Sequence, residues 1–126
     1  MEHSIFGHFV FYYGWKAHYE ISLYGNLFSI LIDLEADKET DGITSEQKSA
    51  MESFHAHQTQ QLKSAELLLA DYANHADEAS RFVPTALYFE RNGSYALLCE
   101  DVQDADVGIA VLLWPETAVL SQDEFL

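Results

Sequence analysis

Thr44-Ser-Glu-Gln-Lys-Ser-Ala-Met-Glu-Ser-Phe-His-Ala-His-Gln-Thr-Gln-Gln-Leu-Lys-Ser-Ala-Glu-Leu-Leu-Leu-Ala-Asp-Tyr-Ala-Asn-His75 decides the fold, and it contains neither glycine nor proline. Thr44 and Gln47 stand at capping-box spacing, where each side chain satisfies a free backbone amide of the other residue. Glu46 adds an acid where the helix dipole favours one. Met51, Phe54, Leu62, Ala65, Leu69 and Tyr72 then recur at helical spacing, with Gln58 a polar gap and Leu68 widening the stripe. The pattern predicts one helix from 44 to about 75. A straight helix of this length would run roughly 45–50 Å, longer than a typical strand. It should therefore project beyond its sheet or break near the glutamines at 58–61. A stripe of this kind predicts core and says little about function.

Working outward, the flanking segments read as strands. Residues 5–14 are dense in aromatic and β-branched side chains and predict a first strand. Trp15, Ala17, Tyr19, Ile21 and Leu23 alternate with Lys16, His18, Glu20 and Ser22, the signature of a half-buried second strand. Gly25-Asn26 predicts a hairpin turn, and 27–34 return as a third strand, apolar on both faces. An acidic loop, 35–43, leads into the helix. Beyond it, 76–85 read as a connector ending at Pro84, Ala86–Arg91 as strand four, Asn92-Gly93 as a hairpin and Ser94–Glu100 as strand five. A second acidic loop, 101–106, precedes strand six, Val107–Trp114, and an edge strand, Thr117–Leu120. The expectation is a single α+β domain over 1–126, an antiparallel sheet packed against one long central helix. One helix covers one face only, so the other needs a dimer, a partner or the sheet's own curvature.

Composition narrows the function classes. Six basic residues face 21 acidic ones, a formal net charge of −15. Such a field repels nucleic acid and anionic membrane and favours a basic protein partner. No charged-then-apolar leader opens the sequence and no apolar run reaches membrane-span length, so the expected location is the cytoplasm. A lone Cys99 suits a reducing compartment.

Motifs for chemistry fail on spacing. Asp37-x-Glu39-x-Asp41-Gly42 resembles the start of a calcium loop, but position twelve is Lys48 and not a bidentate acid. His55 and His57 lie two apart on a helix and do not share a face. Their i+4 neighbours, Thr59 and Gln61, complete no zinc spacing. There is no phosphate loop and no Gly-x-Ser-x-Gly elbow, and nothing local activates Cys99 as a nucleophile. The reading is a non-enzyme without catalytic residue, metal or cofactor.

What remains is the placement of charge. Residues 33–41 hold five acids and Lys38, residues 100–106 hold four acids and no base, and three more acids lie in 116–126. Tracing the meander puts 33–41 at one end of the sheet. Residues 77–78, 100–106 and 123–124 should then converge at the other. The candidate partner-binding residues are accordingly Asp101, Asp104, Asp106, Asp123 and Glu124 at one end, and Asp37, Glu39 and Asp41 at the other.

Gly42-Ile43-Thr44-Ser45-Glu46-Gln47, opening a helix after three strands, is similar to the helix start of a set of small bacterial α/β domains. Cys99-Glu100-Asp101-x-x-Asp104-x-Asp106-Val107-Gly108-Ile109-Ala110-Val111 resembles their strand, acidic turn and Gly-containing final strand. Such small acidic domains recur as immunity proteins of polymorphic-toxin and contact-dependent growth inhibition systems. The resemblance implies a cytoplasmic inhibitor of a basic, nuclease-type toxin domain. The alternative expectation is a housekeeping domain that forms a homodimer through its uncovered sheet face.

Overall fold

The computed structural model describes residues 1–126. In chain order the elements are β1 (Glu2–His3), β2 (Gly7–His8), β3 (Val10–Phe11), β4 (Trp15–Leu23), β5 (Asn26–Leu34), α1 (Ser45–Tyr72), α2 (Glu78–Arg81), β6 (Phe82–Phe89), β7 (Tyr95–Asp101), β8 (Ile109–Trp114), β9 (Ala118–Ser121) and α3 (Gln122–Phe125). β1 and β2 pair with each other, and β3 to β9 form one seven-stranded sheet in sequence order. The α+β class is as expected. The sheet is mixed, however: β5 and β6 run parallel, Leu34 opposite Phe89, while all other neighbours are antiparallel. The cause is α1 itself. It carries the chain back along the sheet, so the next strand starts where β5 started.

The capping box forms as expected. Thr44 Oγ1 accepts from the Gln47 amide and Gln47 Oε1 accepts from the Thr44 amide, each at 3.0 Å. Gln47 is fully buried and its Nε2 donates to the carbonyls of Glu35 and Phe89 at 2.9 and 3.2 Å. One residue therefore caps the helix and ties it to the ends of β5 and β6. Met51, Phe54, Ala65 and Leu69 are completely buried and Leu62 nearly so. Tyr72 departs from the stripe: it is 45% exposed and packs edge-on against Phe82. The helix breaks at His57 (φ −122°, ψ 18°), one residue before the glutamines. Gln58 just beyond it accepts a hydrogen bond from the Tyr19 hydroxyl at 3.1 Å.

Strand boundaries move where backbone geometry overrides composition. Residues 5–14 are not one strand. Positive φ at Gly7, Tyr13 and Gly14 turns the chain repeatedly, so Phe6 and Phe9 plug the core beside β4 instead of extending the sheet. The first hairpin turn is Tyr24-Gly25, one residue earlier than expected. Glu66 of α1 holds it, accepting from the Tyr24 amide at 2.8 Å. β6 starts at Phe82 and runs through Pro84, because β5 pairs with β6 only from Ala86 to Phe89 and no ladder bond is lost there.

The far face of the sheet is apolar but small. Ala86, Ala96, Leu98 and Ala110 are buried there, and Phe125 of α3 folds back edge-on to Tyr88 at 5.9 Å. The chain's own C-terminus thus covers part of the face that the sequence left open. No helix is long and apolar enough to cross a membrane.

Candidate functional site

Antiparallel return from β6 onward places three acidic segments at one end of the sheet. Phe82 pairs with Asp101, Cys99 with Ile109, and Ile109 with Ser121. Residues 77–82, 100–108 and 121–126 therefore meet there, carrying Asp77, Glu78, Glu100, Asp101, Asp104, Asp106, Asp123 and Glu124 against the single base Arg81. Gln122 stitches the segments together, its Nε2 donating to the Cys99 carbonyl at 3.1 Å and its amide to the Gly108 carbonyl at 2.8 Å.

One of the expected contact residues is placed differently by the structure. Asp101 is not part of a solvated loop. It ends β7 with its side chain buried, accepting Arg81 Nε and Nη2 in a fork at 2.8 Å each and the Gln103 amide at 3.0 Å. Arg81 in turn lies over the rings of Phe82 and Tyr72. The forked pair holds the Asp101 carboxyl below the usual carboxylate range. It also consumes the one base of this end. The remaining candidates here, Asp104, Asp106, Asp123 and Glu124, are exposed. At the same end opens a cleft of about 410 Å³ lined by Glu100, Asp101, Val102, Ala105, Val107 and Gly108, with Val102 exposed.

Asp37, Glu39 and Asp41 lie at the opposite end, all exposed. Asp41 is partly used, since its Oδ2 accepts the Lys38 amide at 3.0 Å. This end is better balanced. Lys16 pairs with Asp33 at 2.9 Å, and Arg91 Nη1 donates to the carbonyls of Gly42 and Glu35. The adjacent turn presents Tyr12 and Tyr13, two largely exposed rings that local sequence assigned to a strand.

No group of three or more His, Cys, Asp or Glu side chains is placed to hold a metal ion, and His55 and His57 are both exposed. Cys99 is fully buried, and burial pushes its thiol up to about 12, far from a reactive thiolate.

These shifts give a pH profile with a definite sign. Desolvation raises Glu90 and Asp33 above the usual carboxylate range of about 4. Their stabilising contribution is full below that range and is lost as pH rises through the raised values. Asp101 is lowered, so its contribution is present above the usual range and lost as pH falls through the depressed value. Self-repulsion at −15 adds to the first trend. Thermal stability should therefore be higher near pH 5 than near pH 8, and should fall again below about pH 4. A Tm series that rises steadily from pH 5 to pH 8 would contradict the assignment.

Comparison with protein-family models, curated proteins and solved structures finds no match to this chain.

Proposed function

We propose that this chain is an immunity-type inhibitor, which binds and neutralises a basic, nuclease-type toxin domain in the bacterial cytoplasm. The observation that carries the reading is the acidic end. Eight carboxylates gather where three segments meet, and the single arginine among them is engaged by the only buried one. Of the others, Glu78 is half-buried and the remaining six are exposed, without a counter-charge from those segments. A surface that grips nucleic acid is rich in Lys and Arg, so it is complementary to such an end. Charge of this kind steers encounter more than it sets final affinity. The cleft behind Val102 offers apolar wall for the stems of the partner's long basic side chains.

The competing expectation, a self-associating housekeeping domain, drew on an uncovered sheet face. Phe125 packs against part of that face, beside Tyr88.

The test is co-expression and pull-down with the product of the adjacent upstream gene, followed by association kinetics across a salt series. Association should be fast at low salt and slow as the field is screened, with dissociation changing less. Reversing Asp104, Asp106, Asp123 and Glu124 to Lys should slow association at low salt by roughly 10–100-fold and weaken protection of toxin-exposed cells. Reversing Asp37, Glu39 and Asp41 is the matched control at the other end. If neither set alters binding or protection, the charge serves solubility alone and the proposal fails.

A further inference from the structure

The sheet has an edge that its own chain leaves open. β3 pairs with β4 only at Trp15 and Lys16, so Ala17 to Leu23 have a ladder partner on the β5 side alone. Leu23 and Asn26 close a two-residue turn with positive φ at both Tyr24 and Gly25, which makes them a hydrogen-bonded pair. Alternation from that pair turns the backbone N–H and C=O of Ser22, Glu20 and His18 outward. No turn or loop backbone bond reaches these three residues, and all three are exposed. The N-terminal segment guards this side by side-chain contact only, Phe6 packing edge-on to Tyr19 at 4.8 Å. A free row of this kind is a template for another strand.

Space for one is present. An open cleft of about 480 Å³ lies along the edge, with Glu20, Ile21 and Ser22 on one side and Leu62, Lys63 and Glu66 of α1 on the other, so its two acids outnumber its one base. Its helical wall begins one residue past the break at His57. The cleft leads toward the acidic end of the sheet: the Tyr24-Gly25 turn, hydrogen-bonded to Glu66, opens β5, which runs parallel to β6, so the turn lies at the end where β6 starts.

Charge selects the occupant. Two copies pairing through this edge would run antiparallel about the middle of the open row, which is Glu20. That would set Glu20 against its own copy, an unfavourable like-charge pair, between molecules that each carry −15. A strand bearing Lys or Arg opposite Glu20 meets the reverse condition.

We infer that the Ala17–Leu23 edge of β4 accepts an extended, lysine- or arginine-bearing segment of the partner protein as an added strand. This rests on the basic-partner reading above and gives it a mode of engagement. Backbone bonds from His18, Glu20 and Ser22 supply the pairing, Glu20 selects a basic side chain, and the cleft beside Ile21 and Leu62 receives an apolar one.

The probe is a ten-residue peptide alternating lysine with valine, and the control replaces each lysine by glutamate. Amide hydrogen exchange is read on the full chain by NMR. The lysine peptide should slow exchange at His18, Glu20 and Ser22 by roughly tenfold or more, while the glutamate peptide should not. Ser22→Pro removes an outward N–H without touching the β5 ladder and should abolish the protection. Glu20→Lys, an exposed change that leaves every backbone bond in place, should also abolish it and guards against misfolding of the proline variant. Binding of the lysine peptide without protection at these amides overturns the edge inference and leaves the basic-partner reading standing. Absence of peptide binding at low salt overturns the inference too, and the reading above is then judged by its own salt series. Protection that grows with protein concentration, without peptide, identifies a second copy as the occupant and overturns the heterologous assignment.

Discussion

Phe54→Ala is expected to cost roughly 3–5 kcal/mol of stability. Phe54 has no solvent exposure and packs edge-on against Tyr95, with ring centroids 6.1 Å apart. Tyr95 itself lies against Phe89 at 4.8 Å, and its hydroxyl donates to Gln61 Oε1 at 2.6 Å. Removing the ring therefore opens a void at the joint between α1, β6 and β7, where neighbours on two strands cannot collapse into it. Leu62→Ala should cost less, about 2 kcal/mol, at the low end for leucine truncations. Leu62 lines the open cleft, so water can enter where the side chain was. Denaturant midpoints at unchanged m-value are the measurement. A cost below about 1 kcal/mol for Phe54→Ala would mean that the aromatic joint is not a packing centre.

Asp101→Lys should be the most damaging of the acidic-end reversals, lowering Tm by roughly 10 °C or more. The Asp101 side chain is 2% exposed and that of Arg81 is 19% exposed. A lysine there removes both forked hydrogen bonds, leaves the guanidinium without its counter-ion and adds a second cation beside it. Asp104→Lys and Asp106→Lys, on exposed residues, should leave Tm within about two degrees. Thermal melts of the three single variants separate the cases. Equal Tm values for all three would show that the Arg81–Asp101 fork contributes nothing to folding. The practical consequence is that a charge-reversal test of binding must exclude Asp101, since its loss would confound unfolding with lost contact.

Local sequence specified what local forces decide. The α1 start was legible because Thr44 and Gln47 satisfy each other's amides within one turn. The core face was legible because helical spacing alone brings Met51, Phe54, Leu62 and Leu69 together. Alternation in β4 was legible for the same reason, as Ala17, Ile21 and Leu23 are buried while His18, Glu20 and Ser22 are exposed. Even the gathering of the acidic segments followed from counting chain reversals.

Tertiary structure decided whatever depends on partners distant in sequence. Whether an aspartate is free or paired is set by what lies across the sheet, and Arg81 stands 20 residues from Asp101 with no local signal joining them. Composition made 5–14 look like a strand, yet positive backbone angles turned those aromatics into plugs beside β4. The parallel step between β5 and β6 came from the length of α1. The open edge of β4 arose because β3 stops after two residues. Short-range capping, spacing and alternation are properties of neighbouring residues and can be read along the chain. Burial, ion pairing and an unfilled strand edge are properties of the packed sheet and belong to no single segment of it.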